Sequence, residues 1–240
     1  MPLFRVVDFE TTGFPPDAGI VEIGWTDVKF EETIRAGENT FDVTVGDWES
    51  EIVNSGKKIE YGAMAIHHIT EEDIIGKRKP EAVLVEIIKG VDYFVAHNAK
   101  FEQAFWNTLE PWICTYKLAL RFCPTAPNHQ NQTLRYFLKT PVSKDSAFPP
   151  HRAGPDSYVT AHTLAKFLND LTGKVTIEQM VKWSAEPPLL PTCPIGAKTR
   201  GLPWAQVDIG FLMWCTRQAS MESDILWNVN RELKRRRGNV

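Results

Sequence analysis

The chain has 240 residues, 43% hydrophobic and 24% charged, the balance of a folded globular protein rather than a disordered one. No apolar run approaches the ~18–20 residues of a membrane-spanning helix, which excludes a helical membrane protein. The net charge of −3 argues against a surface built wholly for polyanions, yet residues 187–240 carry eight Lys/Arg against four Asp/Glu, a balance of +4 that leaves −7 on the rest.

An acidic body with a basic tail suits an enzyme that gathers carboxylates around cations and attracts phosphates elsewhere, although a solvated terminal helix gives the same count. The length accommodates one α/β domain and a small appendage. Residues Met1 to Asp8 run into a strand-like segment without the basic start and longer apolar stretch of a secretory signal, so a cytoplasmic protein is expected. Cys114, Cys123, Cys193 and Cys215 form no CxxC pair and no zinc-type spacing, and are expected to be free thiols.

In chain order, Arg5–Glu10 reads as a β-branched strand closed by Thr11-Thr12-Gly13. Ile20–Val28 alternates apolar with small or polar residues as a second strand, and a third falls within Asn39–Val45; short links between them suggest an antiparallel meander. After Gly62 the pattern turns helical, with Val83, Leu84, Ile87 and Ile88 at helical spacing over Glu81–Lys89. Tyr93–His97 is a short buried strand, after which Asn98 is expected to cap a helix with Phe101, Phe105 and Leu109 on its apolar side. Trp112–Thr115 is a further strand, Lys117–Phe122 a helix, and Pro124–Gln132 a loop. A helix is expected from Pro155 to about Leu171, ended by Gly173. Pro187, Pro188, Pro191 and Pro194 then mark a linker.

Chemistry concentrates at three places. Asp8 and Glu10 sit two apart on a strand and share a face, so both stay ionised at low cost only beside a cation such as Mg²⁺ or Mn²⁺. A DxE pair alone is a weak signal, because a strand end in solvent looks the same. The Thr11-Thr12-Gly13 turn strengthens it by exposing backbone N–H groups. Asp156 falls in the first turn of its helix, where the dipole favours a carboxylate, and His151 precedes it in a proline-bounded loop. Glu102 adds an acid in the first turn of another helix, a position that also favours acids for purely structural reasons.

Together, Asp8-Phe9-Glu10-Thr11-Thr12-Gly13, Tyr93-Phe94-Val95-Ala96-His97-Asn98-Ala99-Lys100-Phe101-Glu102 and His151-Arg152-Ala153-Gly154-Pro155-Asp156 resemble the three motifs of the DEDDh exonuclease superfamily. Met64–Thr70, Trp112–Ala119, Ile195–Gly201 and Phe211–Trp214 are similar to the exodeoxyribonuclease X branch. The resemblance implies an α/β, RNase H-like mixed β-sheet flanked by helices: an exonuclease domain over 1–173, a linker region over 174–194 and a small, DNA-contacting C-terminal extension over 195–240. It implies a 3′-5′ exodeoxyribonuclease acting on single- or double-stranded DNA 3′ ends through two divalent ions, Mg²⁺ or Mn²⁺, about 4 Å apart. Asp8, Glu10 and Asp156 would hold the first ion, Asp8 would bridge to the second, Glu102 would support that one, and neutral His151 would take the proton of the attacking water. Thr11, Phe14, His67 and Asn98 are candidates for holding the terminal nucleotide, with Phe14 as a wedge between bases; packing is the alternative for Phe14 and His67.

One position departs from the pattern. The superfamily carries aspartate where this chain has Glu102, so the charge is kept and the metal affinity is expected to change. That substitution leaves open a weakly active relative that binds DNA ends, and, independently of it, the same residues would also serve a 3′ exoribonuclease for short RNA or tRNA ends. In the tail, Trp204, Trp214 and Trp227 could stack on single strands or form a small core, and Lys234-Arg235-Arg236-Arg237 is the expected phosphate contact.

Overall fold

The structure, a computed structural model, describes residues 2–35, 38–171 and 174–238, with side chains for all of these except 32–41. Five strands form one mixed sheet: β1 (Leu3–Thr11), β2 (Ile20–Arg35), β3 (Glu38–Ile52), β4 (Tyr93–Ala96) and β5 (Trp112–Cys114). Their order across the sheet is β3-β2-β1-β4-β5. The β1-β2 and β2-β3 pairs are antiparallel, as expected of a meander, whereas β1-β4 and β4-β5 are parallel. The third strand runs to Ile52, beyond the expected Val45, because Gly46-Asp47 breaks the apolar alternation at a register shift opposite Thr26–Val28.

The helices are α1 (Tyr61–His67), α2 (Pro80–Ile87), α3 (Lys100–Phe105), α4 (Thr115–Phe122), α5 (Asn131–Phe137), α6 (Ala153–Leu171), α7 (Ile177–Ala185), α8 (Ile209–Cys215) and α9 (Ser223–Arg236). Strand β1 shows why the sheet carries a layer on each side. Phe4 and Val6 point into a core that includes Leu118, Leu134, Leu164, Phe167 and Met180, while Val7 and Phe9 point into another with Val83, Leu84, Ile87 and Phe94. Asp8 and Glu10 continue the Phe4–Val6 row, so they emerge on the face covered by α6.

Several expectations are corrected. Ala99, not Asn98, is the residue before α3, and Asn98 makes no side-chain cap; it adopts φ +73° and gives its carbonyl to the Phe101 N–H. Leu109 lies beyond α3 and is exposed. Helix α5 begins at the end of the expected Pro124–Gln132 loop and continues to Phe137 where no element is expected, because its first turn is polar and Leu134 is its one fully buried apolar side chain. Helix α7 falls within the expected linker: Thr176 caps it by accepting the Gln179 N–H, and Met180 packs into the main core. Gly173, expected to end α6, lies outside the described residues. Beyond the prolines, Cys193, Val207, Leu212, Cys215, Ile225, Val229 and Leu233 form a separate small core, and all four cysteines are free and buried. No helix among the described residues is long and apolar enough to cross a membrane.

Candidate active site

The sheet brings α6 close enough to β1 to complete a carboxylate cluster. Gly24 is opposite Asp8 on β2, and a Cβ there would overlap the backbone carbonyl of Ala153 and the nitrogen of Gly154. A Cβ on Gly154 would in turn collide with the Trp48 ring. These two glycines therefore let the N-terminus of α6 lie directly on the strands. Thr26 and Ser157 hydroxyls, 3.0 Å apart, fasten it one step further along.

Carboxylate oxygens of Asp8, Glu10 and Asp156 consequently lie within 4.8 Å of one another. Burial pushes the Asp8 carboxyl well above its usual range, and the nearby Asp156, Glu10, Glu102 and Glu22 push it further. Glu10 is raised to about 8, first by burial and then by Asp156 and Glu22, with Arg152 opposing. Asp156 is also raised by burial, against the hydrogen bonds that favour its ionised form. Glu102 on α3 is 3% exposed; burial and then Glu10 raise it to about 8. Its Oε2 has no hydrogen-bond partner among the described residues. Asp8, Glu10 and Asp156 form a donor set suited to hard divalent cations; Glu102 stands outside that three-residue cluster and adds a buried carboxyl with an unmet oxygen beside it.

His151 stands at φ +60° with an exposed ring, and its backbone N–H donates to Asp156 Oδ2 at 2.7 Å. The imidazole is thus tied to the cluster through its own main chain. Gln132 Nε2 donates to Asp156 Oδ1 at 3.0 Å, and Asn131 Nδ2 to the Asp156 carbonyl at 3.0 Å. Glu22, 1% exposed, is opposite Glu10 across the β1-β2 ladder. It accepts Arg152 Nε and Nη2 at 2.8 Å each, the Ala153 N–H at 3.1 Å and Ser50 Oγ at 3.1 Å. This fork fastens the segment after His151 to β2 and neutralises an acid that would otherwise face Glu10.

Sequence reasoning does not reach Glu22, Arg152, Asn131 or Gln132. Glu22 and Arg152 carry a faint signal, a charged residue within an apolar strand and a cation next to the candidate base, but nothing in the sequence joins them.

The candidates for the terminal nucleotide separate. The Thr11 hydroxyl donates to the Gly13 carbonyl at 2.7 Å and shapes the turn. His67 is 2% exposed; its Nδ1 accepts the Ile69 N–H, so Nε2 carries the proton and donates to the Thr11 carbonyl at 3.2 Å. Burial lowers its pKa, in keeping with a neutral ring. Both nitrogens are occupied within the chain, so His67 braces the turn and presents no free ring atom to a ligand. Phe14 is 78% exposed, and the packing alternative does not apply to it. The exposed Tyr61, which carries no signal in the sequence, starts α1 next to Glu60, whose N–H bonds the Thr12 carbonyl. Asn98 is exposed. Its neighbour His97 is held by Thr115 and the His129 carbonyl, and burial lowers it to about 4.

In the tail, Trp204 donates to the Leu190 carbonyl and packs on the small core, while Trp214 is exposed and stacks on Phe211. Trp227 is half-buried. The expectation for Lys234–Arg237 is corrected: Arg235 and Arg236 bind Glu232, and Arg236 also reaches the carbonyls of Trp204, Ala205 and Val207. Arg236 is therefore a clamp that closes α9 on its own core, while Lys234, Arg235 and Arg237 stay exposed.

No family model matches the chain. It is 34% identical over 216 residues to exodeoxyribonuclease 10 of Escherichia coli (strain K12), covering 88% of this chain and 90% of that one. It is also 28% identical over 194 residues to the PolC-type DNA polymerase III of Thermotoga petrophila, spanning 74% of this chain and 12% of that one. Among solved structures it is similar to exonuclease X in complex with 5′ overhanging duplex DNA, with 33% identity and a TM-score of 0.58 over 76% of this chain and 99% of that one. Exonuclease I of E. coli in complex with a dT13 oligonucleotide has a TM-score of 0.53 at 15% identity over 72% of this chain and 42% of that one, a likeness of fold. The fold is RNase H-like.

Proposed function

The chain belongs to the exodeoxyribonuclease X family of exonucleases, and from that premise we propose that it releases nucleoside monophosphates one at a time from DNA 3′ ends. The carrying observation is the convergence of Asp8, Glu10 and Asp156 oxygens within 4.8 Å. The donor set suits two Mg²⁺ or Mn²⁺ ions held by Asp8, Glu10 and Asp156 with support from Glu102. When bound, such ions would supply acidification of the attacking water and stabilisation of the charge on the phosphate and the leaving oxygen.

The chain's own groups do the rest. The His151 imidazole accepts a proton as the water oxygen attacks phosphorus and the bond to the 3′ oxygen of the preceding nucleotide breaks. Its backbone link to Asp156 and the Glu22–Arg152 fork one residue on keep the ring near that water. The turn braced by Thr11 and His67 would receive the terminal sugar, and the exposed Phe14 would wedge against the last base.

A time course on 5′-labelled single-stranded DNA tests this reading. A ladder of shorter products is expected with Mg²⁺ or Mn²⁺, absent with EDTA and with Asp8→Ala, and slower on a matched RNA. His151→Ala is expected to lose about 10²–10⁴ in turnover while still binding DNA. Parental turnover by His151→Ala would remove its role as base, and end-binding without any ladder would leave a DNA-end binder built on this fold.

A further inference from the structure

A cleft of about 1190 Å³ lies between the nuclease body and the C-terminal extension, larger than the ~300–1,000 Å³ of a typical small-molecule pocket. The body wall comes from the ends of β4 and β5 and the approach to α5, with Asn98, Lys100, Tyr116, His129 and Gln130; Arg200 faces them from the extension. Two of these segments lead straight into the carboxylate site. Asn98 and Lys100 precede Glu102 on the same turn of chain, and Gln130 is two residues from Gln132, which holds Asp156.

The lining has a particular chemistry. Tyr116 and His129 are half-exposed rings 6.5 Å apart and nearly perpendicular, beside the exposed amides of Asn98, Gln103 and Gln130. Charge is balanced rather than positive. Lys117 donates to the carbonyls of Ser184 and Glu186, Glu186 pairs with Arg121, and Glu222 and Asp224 line the far side. Lys100 and Arg200 are exposed on opposite walls. Rings and amides offer stacking and hydrogen-bonding surfaces to unpaired bases, and Lys100 and Arg200 are the cations within reach of the strand's phosphates.

Resting on the exonuclease reading above, we propose that this cleft binds the unpaired nucleotides upstream of the scissile bond, so that the C-terminal extension works as one jaw of a single-strand binding groove. The groove lengthens the contact with a strand whose 3′ end is at the carboxylates and makes affinity depend on the length of that strand.

The test uses the full chain with 5′-labelled single-stranded DNA from a dinucleotide to about ten nucleotides, within the usual site size of such grooves. The parent should show kcat/KM rising with length and then levelling off. Tyr116→Leu should raise KM for the ten-mer about tenfold, the loss of one stacked base. Lys100→Gln and Arg200→Gln should each reduce the salt dependence of ten-mer binding by about 0.7 in slope, and thermal melts check that all three variants are folded. A parent with no length dependence, or variants that keep the parental dependence and salt slope, would overturn the groove while leaving the nuclease intact. If the parent cuts DNA of no length, the exonuclease reading fails, and the groove fails with it.

Discussion

Arg152→Met removes both guanidinium bonds to Glu22, an acid with 1% of its side chain exposed that is opposite Glu10. Breaking a buried ion pair from one side costs about 3–5 kcal/mol. Here a third of the Arg152 side chain already meets water, and the Ala153 N–H and Ser50 Oγ still bond Glu22, so about 2–3 kcal/mol is expected. For a chain of this size that is a fall of roughly 5–10 °C in melting temperature. The segment carrying His151 loses its tie to β2 at the same time, and a displacement near 1 Å costs about 10²-fold in turnover. Mn²⁺ affinity, read by calorimetry, should hold or tighten, because a cation has left the neighbourhood of Glu10. Adding Glu22→Gln removes the stranded charge and keeps an acceptor for the Ala153 N–H, so the double variant should be more stable than Arg152→Met alone. Parental melting and turnover by Arg152→Met, or additivity of the two substitutions in a double-mutant cycle, would show that the Glu22–Arg152 fork holds nothing in place.

Glu102→Asp should increase turnover several-fold at limiting Mn²⁺, at a stability cost of about 1 kcal/mol for one buried methylene; an unchanged or slower ladder would mean that Glu102 suits this site as it stands. Glu10 and Glu102 rise from 4.5 to about 8 in the folded chain, so that chain binds more protons than the unfolded one between these values. Without divalent ions its stability should therefore be full below about 4.5 and be lost as the pH rises through about 8. Melting temperatures in EDTA should fall across this window and flatten with Mn²⁺; a rise, or parallel curves, would contradict the assignment. Gly24→Ala forces a methyl into the Ala153 backbone and should cost about 1–3 kcal/mol or more along with most activity. Gly62→Ala, with open space around its Cβ, should change stability by no more than about 1 kcal/mol, and equal melts for the two would show that α6 can lift freely from the sheet.

Sequence alone determined whatever is written in short strings. Asp8 and Glu10 share a face because a strand repeats every two residues, Asp156 lies in a helical first turn, and the β-branched run ahead of Asp8 forms a strand. Local geometry decides each of these, so the order of residues suffices to read them. Periodicity is weaker where polar residues begin an element, which hides α5; the prolines after α7 mark its whole stretch as a linker and hide that helix too. What joins distant parts is not legible in the chain. The Glu22–Arg152 fork spans 130 residues, Gln132 and Asp156 are 24 apart, and the cleft has walls from both the middle and the end of the chain. Arg236 shows the same limit from the opposite side: its charge suggests a phosphate contact, and three backbone carbonyls around residues 204–207 claim it instead. A charge in a sequence states what it can bind, and only the tertiary structure decides which partner arrives first.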